Sequence, residues 1–290
     1  MFSDVIPDEI GLISSLEVVV LSNNSLQGKI PSSIGRLRNL QRLYLQMNSL
    51  NSTIPSELGL CTNLTFLSLA KDALQGPLPI SFFNGSIPYQ IGNLQVLDVS
   101  YNYFSGTIPS TITNLTSLKM LSLSQNNISG TIPNYFGKNS PQLFSVRFAD
   151  NGFTGELPPE LCSQFVLEEL IINGNKLPHC LKNCTNLRIV MLEGNNLSSF
   201  LLVTTSFQGK IPRSLAMKTT NRTTKAPSEG RNYYQDSVVV VTKGLEFEVV
   251  RIFYLYTNVD LSSNKFEGFI PGIMGDLIAL RVLNLSHNGL

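Results

Sequence analysis

Residues 118–133 read Leu118-Lys119-Met120-Leu121-Ser122-Leu123-Ser124-Gln125-Asn126-Asn127-Ile128-Ser129-Gly130-Thr131-Ile132-Pro133. Leu121 and Leu123 alternate with Ser122, the spacing of a short strand with one buried face. Asn126 follows where such a strand would turn, and Gly130 stands where the chain bends back. Proline fixes its own φ and biases the residue before it towards extended geometry, so Ile132-Pro133 reads as a short second strand. The pattern L-x-x-L-x-L-x-x-N-x-L-x-G-x-I-P begins again at Leu16, Leu40, Leu64, Leu94, Leu143, Leu167, Leu187, Tyr256 and Leu280. Its uninterrupted steps are 24, 24, 30, 24, 25, 24 and 20 residues, with 24 again from Tyr256 to Leu280. Ten registered copies of one period specify a repeat architecture.

This is leucine-rich-repeat spacing, and each position has a physical task. Leu43, Leu45, Leu67 and Leu69 are expected to point inward, with Tyr44 outward. Stacked coils would then form a right-handed solenoid, with a parallel sheet on its concave face and 3-10 or irregular backbone on the convex side. The ninth position holds Asn24, Asn48, Asp72, Asn102, Asn126, Asn151, Asn175, Asn195, Asn264 and Asn288. An amide there can donate and accept, tying neighbouring coils as a ladder. Asp72 departs from the series, because an ionised carboxylate accepts but cannot donate. The G-x-I-P-x-x-I/L-G-x-L form of the later half-repeat resembles the plant-specific class of leucine-rich repeats. Members of that class are mostly receptor ectodomains and inhibitors of wall enzymes.

Composition narrows the function classes. The chain has 290 residues, with 21 basic and 20 acidic side chains and a net charge of +1. That balance argues against nucleic-acid or anionic-membrane partners. Charged residues are only 14% of the chain, and leucine (43) and asparagine (27) fill the deficit. No apolar run reaches the roughly 18 residues of a membrane span. The first residues, Met1-Phe2-Ser3-Asp4, lack the pattern of a signal peptide. No phosphate-binding loop occurs, and His179 and His287 are the two histidines, so an enzyme is not expected and no cofactor is implied.

The repeat also breaks. The third copy carries a second bend signal at Asn84-Gly85-Ser86-Ile87-Pro88, which could tilt the array between Phe66 and Asp98. Up to about residue 198, segments such as Gly155-Glu156-Leu157-Pro158-Pro159-Glu160-Leu161-Cys162 and Leu181-Lys182-Asn183-Cys184 resemble receptor kinases that sense secreted peptides. After about residue 207, Tyr233-Tyr234-Gln235-Asp236-Ser237 and Lys243-Gly244-Leu245-Glu246 resemble kinase-less receptor-like proteins of the Cladosporium-resistance type. The resemblance implies repeats over 1–212, an island over 213–253 with a hairpin around Lys243-Gly244, and further repeats over 254–290. Both families carry a signal peptide, terminal caps and a membrane span. Against that pattern the chain reads as a truncated or rearranged ectodomain.

His179, Cys180 and Cys184 offer soft metal ligands, but these cysteines belong to a repeat-closing turn, and no metal site is expected. A disulfide from Cys162 to Cys180 or Cys184 suits the oxidising compartment of the family. Cys61 reads as a small buried hydrophobe. Ten Asn-x-Ser/Thr sequons occur, of which Asn63, Asn114 and Asn221 are the best glycosylation candidates. The remaining feature is the outward face of the strands, presenting Arg42, Tyr44, Phe66, Asp98, Tyr101, Arg147 and Asp150. Aromatics give contact area and charges set register, which suits an extended peptide or a protein ligand. By resemblance, the chain is expected to be the ligand-recognition part of a plant receptor kinase or receptor-like protein in defence or development. It would act at the outer face of the plasma membrane with a co-receptor or adaptor kinase. The alternatives are a secreted inhibitor of a cell-wall hydrolase, similar to the polygalacturonase inhibitors, and a receptor fragment without function.

Overall fold

The computed structural model describes residues 2–79, 93–162, 166–177, 189–195, 238–242, 245–249, 257–264 and 280–288, with the backbone alone at 162, 238–242, 245–249, 257–259 and 280–281. Each L-x-x-L-x-L segment contributes a strand of three to five residues to one parallel sheet. In spatial order the strands are Val18–Val20, Arg42–Tyr44, Phe66–Ser68, Val96–Asp98, Met120–Ser122, Ser145–Arg147, Glu169–Ile171, Ile189–Met191, Thr257–Asp260 and Leu280–Asn284. Spatial order follows chain order because every coil returns the chain one strand-width further along. The register holds across the irregular third repeat, where Phe66 pairs with Val96 and Ser68 with Asp98. The tilt that the second bend signal could have introduced between Phe66 and Asp98 does not interrupt the strand pairing. This repeat is 30 residues long against the usual 24, residues 80–92 lie outside those described, and the strands on either side pair in unbroken register.

Inward leucines form one continuous core. Leu43, Leu45, Leu67, Leu69, Leu121 and Leu123 are each 0% exposed, as the alternation requires. Phe104, Phe136, Phe148 and Phe153 fill the wider interior of the central coils, with Phe148 and Phe153 rings 5.3 Å apart. Burying each such side chain contributes about 1.5–3 kcal/mol.

Second strands are present, but they precede the Ile-Pro pairs instead of containing them. Ser3–Val5, Ser25–Gly28 and Ser49–Leu50 form one short parallel sheet. Gln75–Pro77, Tyr103–Thr107, Asn127–Thr131 and Gly152–Thr154 form another. Pro31, Pro55 and Pro109 lie just beyond or outside these strands, in extended geometry, and open the 3-10 turns Ser32–Arg36, Ser56–Leu60 and Ser110–Asn114. A proline cannot donate to a ladder, whereas the first position of a turn needs no donor. The bend at Gly130 has φ +80°, and a Cβ there would lie 2.9 Å from Thr107 Cγ2.

The asparagine ladder runs along the described coils except at Asp72, and Asn126 shows its form. Its Nδ2 donates to Leu123 O at 2.9 Å and, one coil back, to Val99 O at 3.1 Å, while its Oδ1 accepts from Phe104 N at 3.0 Å. Asn264 does the same across the insertion, donating to Leu192 O and Leu261 O, both at 3.1 Å. Coils whose paired residues lie 69 positions apart in sequence thus stack as neighbours, with Val190 paired to Val259. Within the island segment, Val238–Thr242 and Leu245–Val249 pair antiparallel around residues 243–244. The rest of the 213–253 segment lies outside the described residues.

Candidate functional site

The concave sheet offers two outward side chains per strand and a third feature that the pattern hides. The residue just before each ladder position sits in the left-handed region: Asn23, Met47, Lys71, Tyr101, Gln125, Asp150, Ser263 and His287 have φ between 52° and 61°. Gly174 and Gly194 take the same place on their coils. A left-handed residue is costly for most side chains and swings them off the end of the strand. That is why Tyr101, although it follows the strand, is half exposed on the groove's rim.

At the N-terminal end the face is apolar and aromatic. Val18 and Val20 are exposed, Arg42 is exposed beside them, and the Tyr44 and Phe66 rings stack at 4.5 Å with a tilt of 30°. The half-exposed Val96 and Met120 continue the stripe in the Phe66 column. Lys71 Nζ lies 5.4 Å from the centre of the Tyr101 ring, a cation–π contact on the rim.

The middle of the face is polar and internally satisfied. Asp98 is only 5% exposed and accepts from Ser100 N at 3.1 Å and Ser100 Oγ at 2.7 Å. Burial raises its pKa, while Ser100, the Arg147 charge and the Ser122 hydroxyl pull it down. Arg147 forks onto Glu169, Nε to Oε2 at 3.0 Å and Nη2 to Oε1 at 3.2 Å, and Ser145 Oγ donates to the same carboxylate at 2.5 Å. Asp98 and Arg147 were expected to read a ligand's charge. Asp98 is instead buried in hydrogen bonds to its own turn, and Arg147 is committed to Glu169. The signal was legible in the register: Glu169 pairs with Ser145 and so stands one coil along and two residues from Arg147.

Towards the C-terminal end the face turns acidic. A shallow pocket of about 280 Å³ is lined by Asp150, Gly174, Glu193, Ser262, Ser286 and His287, among others. Gln125 Nε2 donates to Asp150 Oδ2, and burial raises the Asp150 carboxyl above its ordinary value. Burial, then Asp260 and Asp150, push Glu193 up to about 7, against a hydrogen bond from Ser262. Asp260, which the sequence did not single out, reaches this cluster because the coil after the insertion stacks directly on the coil before it. Among the described residues there is no group of three or more ligand-type side chains able to hold a metal ion.

Of the remaining candidates, Asn63 is exposed, but its Nδ2 donates to Arg38 O at 3.0 Å. Asn114 is exposed at the end of a 3-10 turn, and Asn221 lies outside the described residues. Cys61 is buried, with its Sγ 3.2 Å from Ile34 O, and burial pushes its thiol up to about 11 against the pull of Arg38. Cys180, Cys184 and the side chain of Cys162 lie outside what the structure describes, and so does the disulfide expected among them.

Comparison with known proteins places this face in context. The Leucine rich repeat family model matches residues 92–144, and a second Leucine Rich Repeat model matches 15–37 and 39–61. The chain is 37% identical over 232 residues to Receptor-like protein 35 of Arabidopsis thaliana, covering 69% of this chain and 24% of that protein. It is 33% identical over 226 residues to Receptor-like protein 18 of the same plant, with the same coverage of each chain. It therefore spans about a quarter of the length of the curated relatives it matches. Among solved structures, the ectodomain of the Arabidopsis receptor kinase HAESA in complex with an N-terminally extended IDA peptide hormone superposes with a TM-score of 0.73 at 30% identity, over 99% of this chain and 40% of that one. The plant peptide hormone receptor RGFR1 in complex with RGF2 superposes with a TM-score of 0.68 at 28% identity, over 99% of this chain and 42% of that one.

Proposed function

We propose, from a chain that is a plant-type leucine-rich-repeat solenoid similar to plant receptor-like proteins, that it is the ligand-recognition module of a cell-surface receptor. It binds an extended peptide or a protein segment along the concave face and signals through a partner kinase. The observation that carries this is the unpartnered aromatic and aliphatic stripe on the N-terminal strands, where the Tyr44 and Phe66 rings stack 4.5 Å apart. Beside it stands the half-exposed Tyr101. A rigid parallel sheet holds these side chains in a line matching the reach of an extended chain, with low ordering cost on binding. Peptide-hormone complexes of similar solenoids support the reading. Asp98 and Arg147 act in it as internal braces, and Arg42 and Asp150 are the charges left to set register.

The test is a binding screen of plant secreted peptides against the secreted chain, followed by substitution in a confirmed pair. Phe66→Ala or Tyr44→Ala is expected to weaken binding by about 2 kcal/mol, near thirty-fold, as for a central aromatic anchor. Tyr135→Ala, an exposed aromatic on the opposite side, is expected to leave affinity unchanged. The reverse pattern would refute the concave-face reading.

A further inference from the structure

The ladder position that departs from the pattern has a hydrogen-bonding problem that only a proton solves. Each ladder asparagine uses its oxygen to accept from the preceding coil and its NH2 to donate. Asn48 accepts from Leu26 N at 3.1 Å and donates to Leu45 O at 2.7 Å and Leu21 O at 3.0 Å. Asn102, the next ladder amide after Asp72, accepts from Leu74 N at 3.0 Å and donates to Val99 O at 3.1 Å and Leu69 O at 2.7 Å. Asp72 keeps the first half of this arrangement, its Oδ1 accepting from Leu50 N at 3.0 Å. Its Oδ2 occupies the place of the amide nitrogen, is fully buried, and has no hydrogen-bond partner.

The groups that an amide at 72 would reach are carbonyl oxygens, those of Leu69 three residues back and Leu45 one coil back. Each takes one donor, from Asn102 and from Asn48, and each retains a second lone pair. An ionised carboxylate would set a charged oxygen beside these acceptors with no hydrogen bond made to Oδ2 itself, which is strongly unfavourable in a buried site. A carboxylic acid supplies the missing O–H.

We propose that Asp72 is a proton switch built into the ladder: it carries a proton on Oδ2 in the folded solenoid, and losing that proton loosens the joint between the second and third coils. Burial pushes this carboxyl up to about 7, while the backbone N–H groups of Leu50 and Asn48 pull it down. No charged side chain contributes to that balance. Lys71, its chain neighbour, is turned onto the Tyr101 ring, and Tyr101 and Tyr103 on the following coil are exposed. On the preceding coil the adjoining residues are Asn48, Ser49 and Leu50, none of which carries charge.

The direction of the effect follows from linkage. The folded value, about 7, lies above the ordinary 3.8, so the folded state holds the proton more tightly than the unfolded chain. Stability from this group is fully present below pH 4 or so and is lost as pH rises through about 7, by roughly ten-fold in the folding equilibrium per pH unit in that window. The joint concerned is also the one across which the Tyr44 and Phe66 rings meet. Resting on the concave-face reading above, the anchor of the ligand groove is therefore held in register most firmly under acidic conditions.

The experiment uses the full chain without ligand, so its failure leaves the concave-face reading untouched and a failure of that reading leaves this proposal standing. Carboxyl 13C chemical shifts of aspartate-labelled protein are titrated from pH 4 to 9, with Asp72→Asn identifying the resonance. Urea midpoints of the wild type and Asp72→Asn are compared over the same range, in an E193Q background because Glu193 titrates in the same window. The expected result is a resonance with a midpoint near 7, and an Asp72→Asn midpoint that gains on the wild type steadily between pH 4 and 7. A carboxyl midpoint near 4, or stability curves of the two proteins that stay parallel across the window, would overturn the proposal.

Discussion

Leu121→Ala is the substitution that probes the solenoid core most directly. Leu121 is 0% exposed and sits mid-sheet, paired with Leu97 on one side and Val146 on the other, both also fully buried. Truncation removes three carbons, a transfer loss of about 2.4 kcal/mol at roughly 0.8 kcal/mol per methylene. The flanking strands are pinned by backbone ladders and by Asn102, Asn126 and Asn151, so the gap cannot collapse and a cavity cost of about 1 kcal/mol or more is added. The expected loss is about 3–4 kcal/mol, read as a shift of the urea midpoint at unchanged slope. Met120→Ala, one residue earlier and half exposed on the concave side, serves as the internal control and is expected to cost about 1 kcal/mol or less. If the folded Leu121→Ala protein lost less than about 1 kcal/mol, or if Met120→Ala cost as much as Leu121→Ala, the assignment of inward and outward positions would be wrong.

Arg147→Ala leaves the 11%-exposed Glu169 carboxylate with the Ser145 hydroxyl as its side-chain donor, and is expected to cost about 1–3 kcal/mol in chemical denaturation. Replacing both partners, as Arg147→Met with Glu169→Leu, should recover most of that loss, and equal destabilisation by the single and double variants would count against the pairing. Glu193 is raised to about 7 from 4.5, chiefly by burial and then by Asp260 and Asp150. Its stabilising contribution is present below about pH 4.5 and lost as pH rises through 7, so Glu193→Gln is expected to flatten the stability profile between pH 5 and 8. A profile as steep as the wild type's would show that the carboxyl is not held in its protonated form.

The coil architecture was legible in the sequence because its determinants are local and repeated. Leu43, Leu45 and Asn48 each do the same task in every coil, so ten copies of the pattern reinforce one register. The bend glycines were equally plain, since a left-handed turn against Thr107 at Gly130 leaves no room for a side chain. The Ile-Pro pairs were displaced by one element, because extended geometry is shared by a strand and by the residue that opens a 3-10 turn, and the sequence does not distinguish them.

Properties of single side chains on the groove lay beyond that reading, for a physical reason. Outward positions are defined by period, but their exposure depends on what the neighbouring coil contributes. Asp98 becomes buried through Ser100 and Ser122, and Arg147 is neutralised by Glu169 from the next strand. Asp260 joins Glu193 and Asp150 only because the sheet resumes on the far side of the insertion, with Val259 beside Val190. A repeat carries its core positions in every copy, where they are set by contacts within one coil and its like. Charge, burial and protonation on the surface arise between unlike residues of adjacent coils, and the stacking of the folded chain is what brings those residues together.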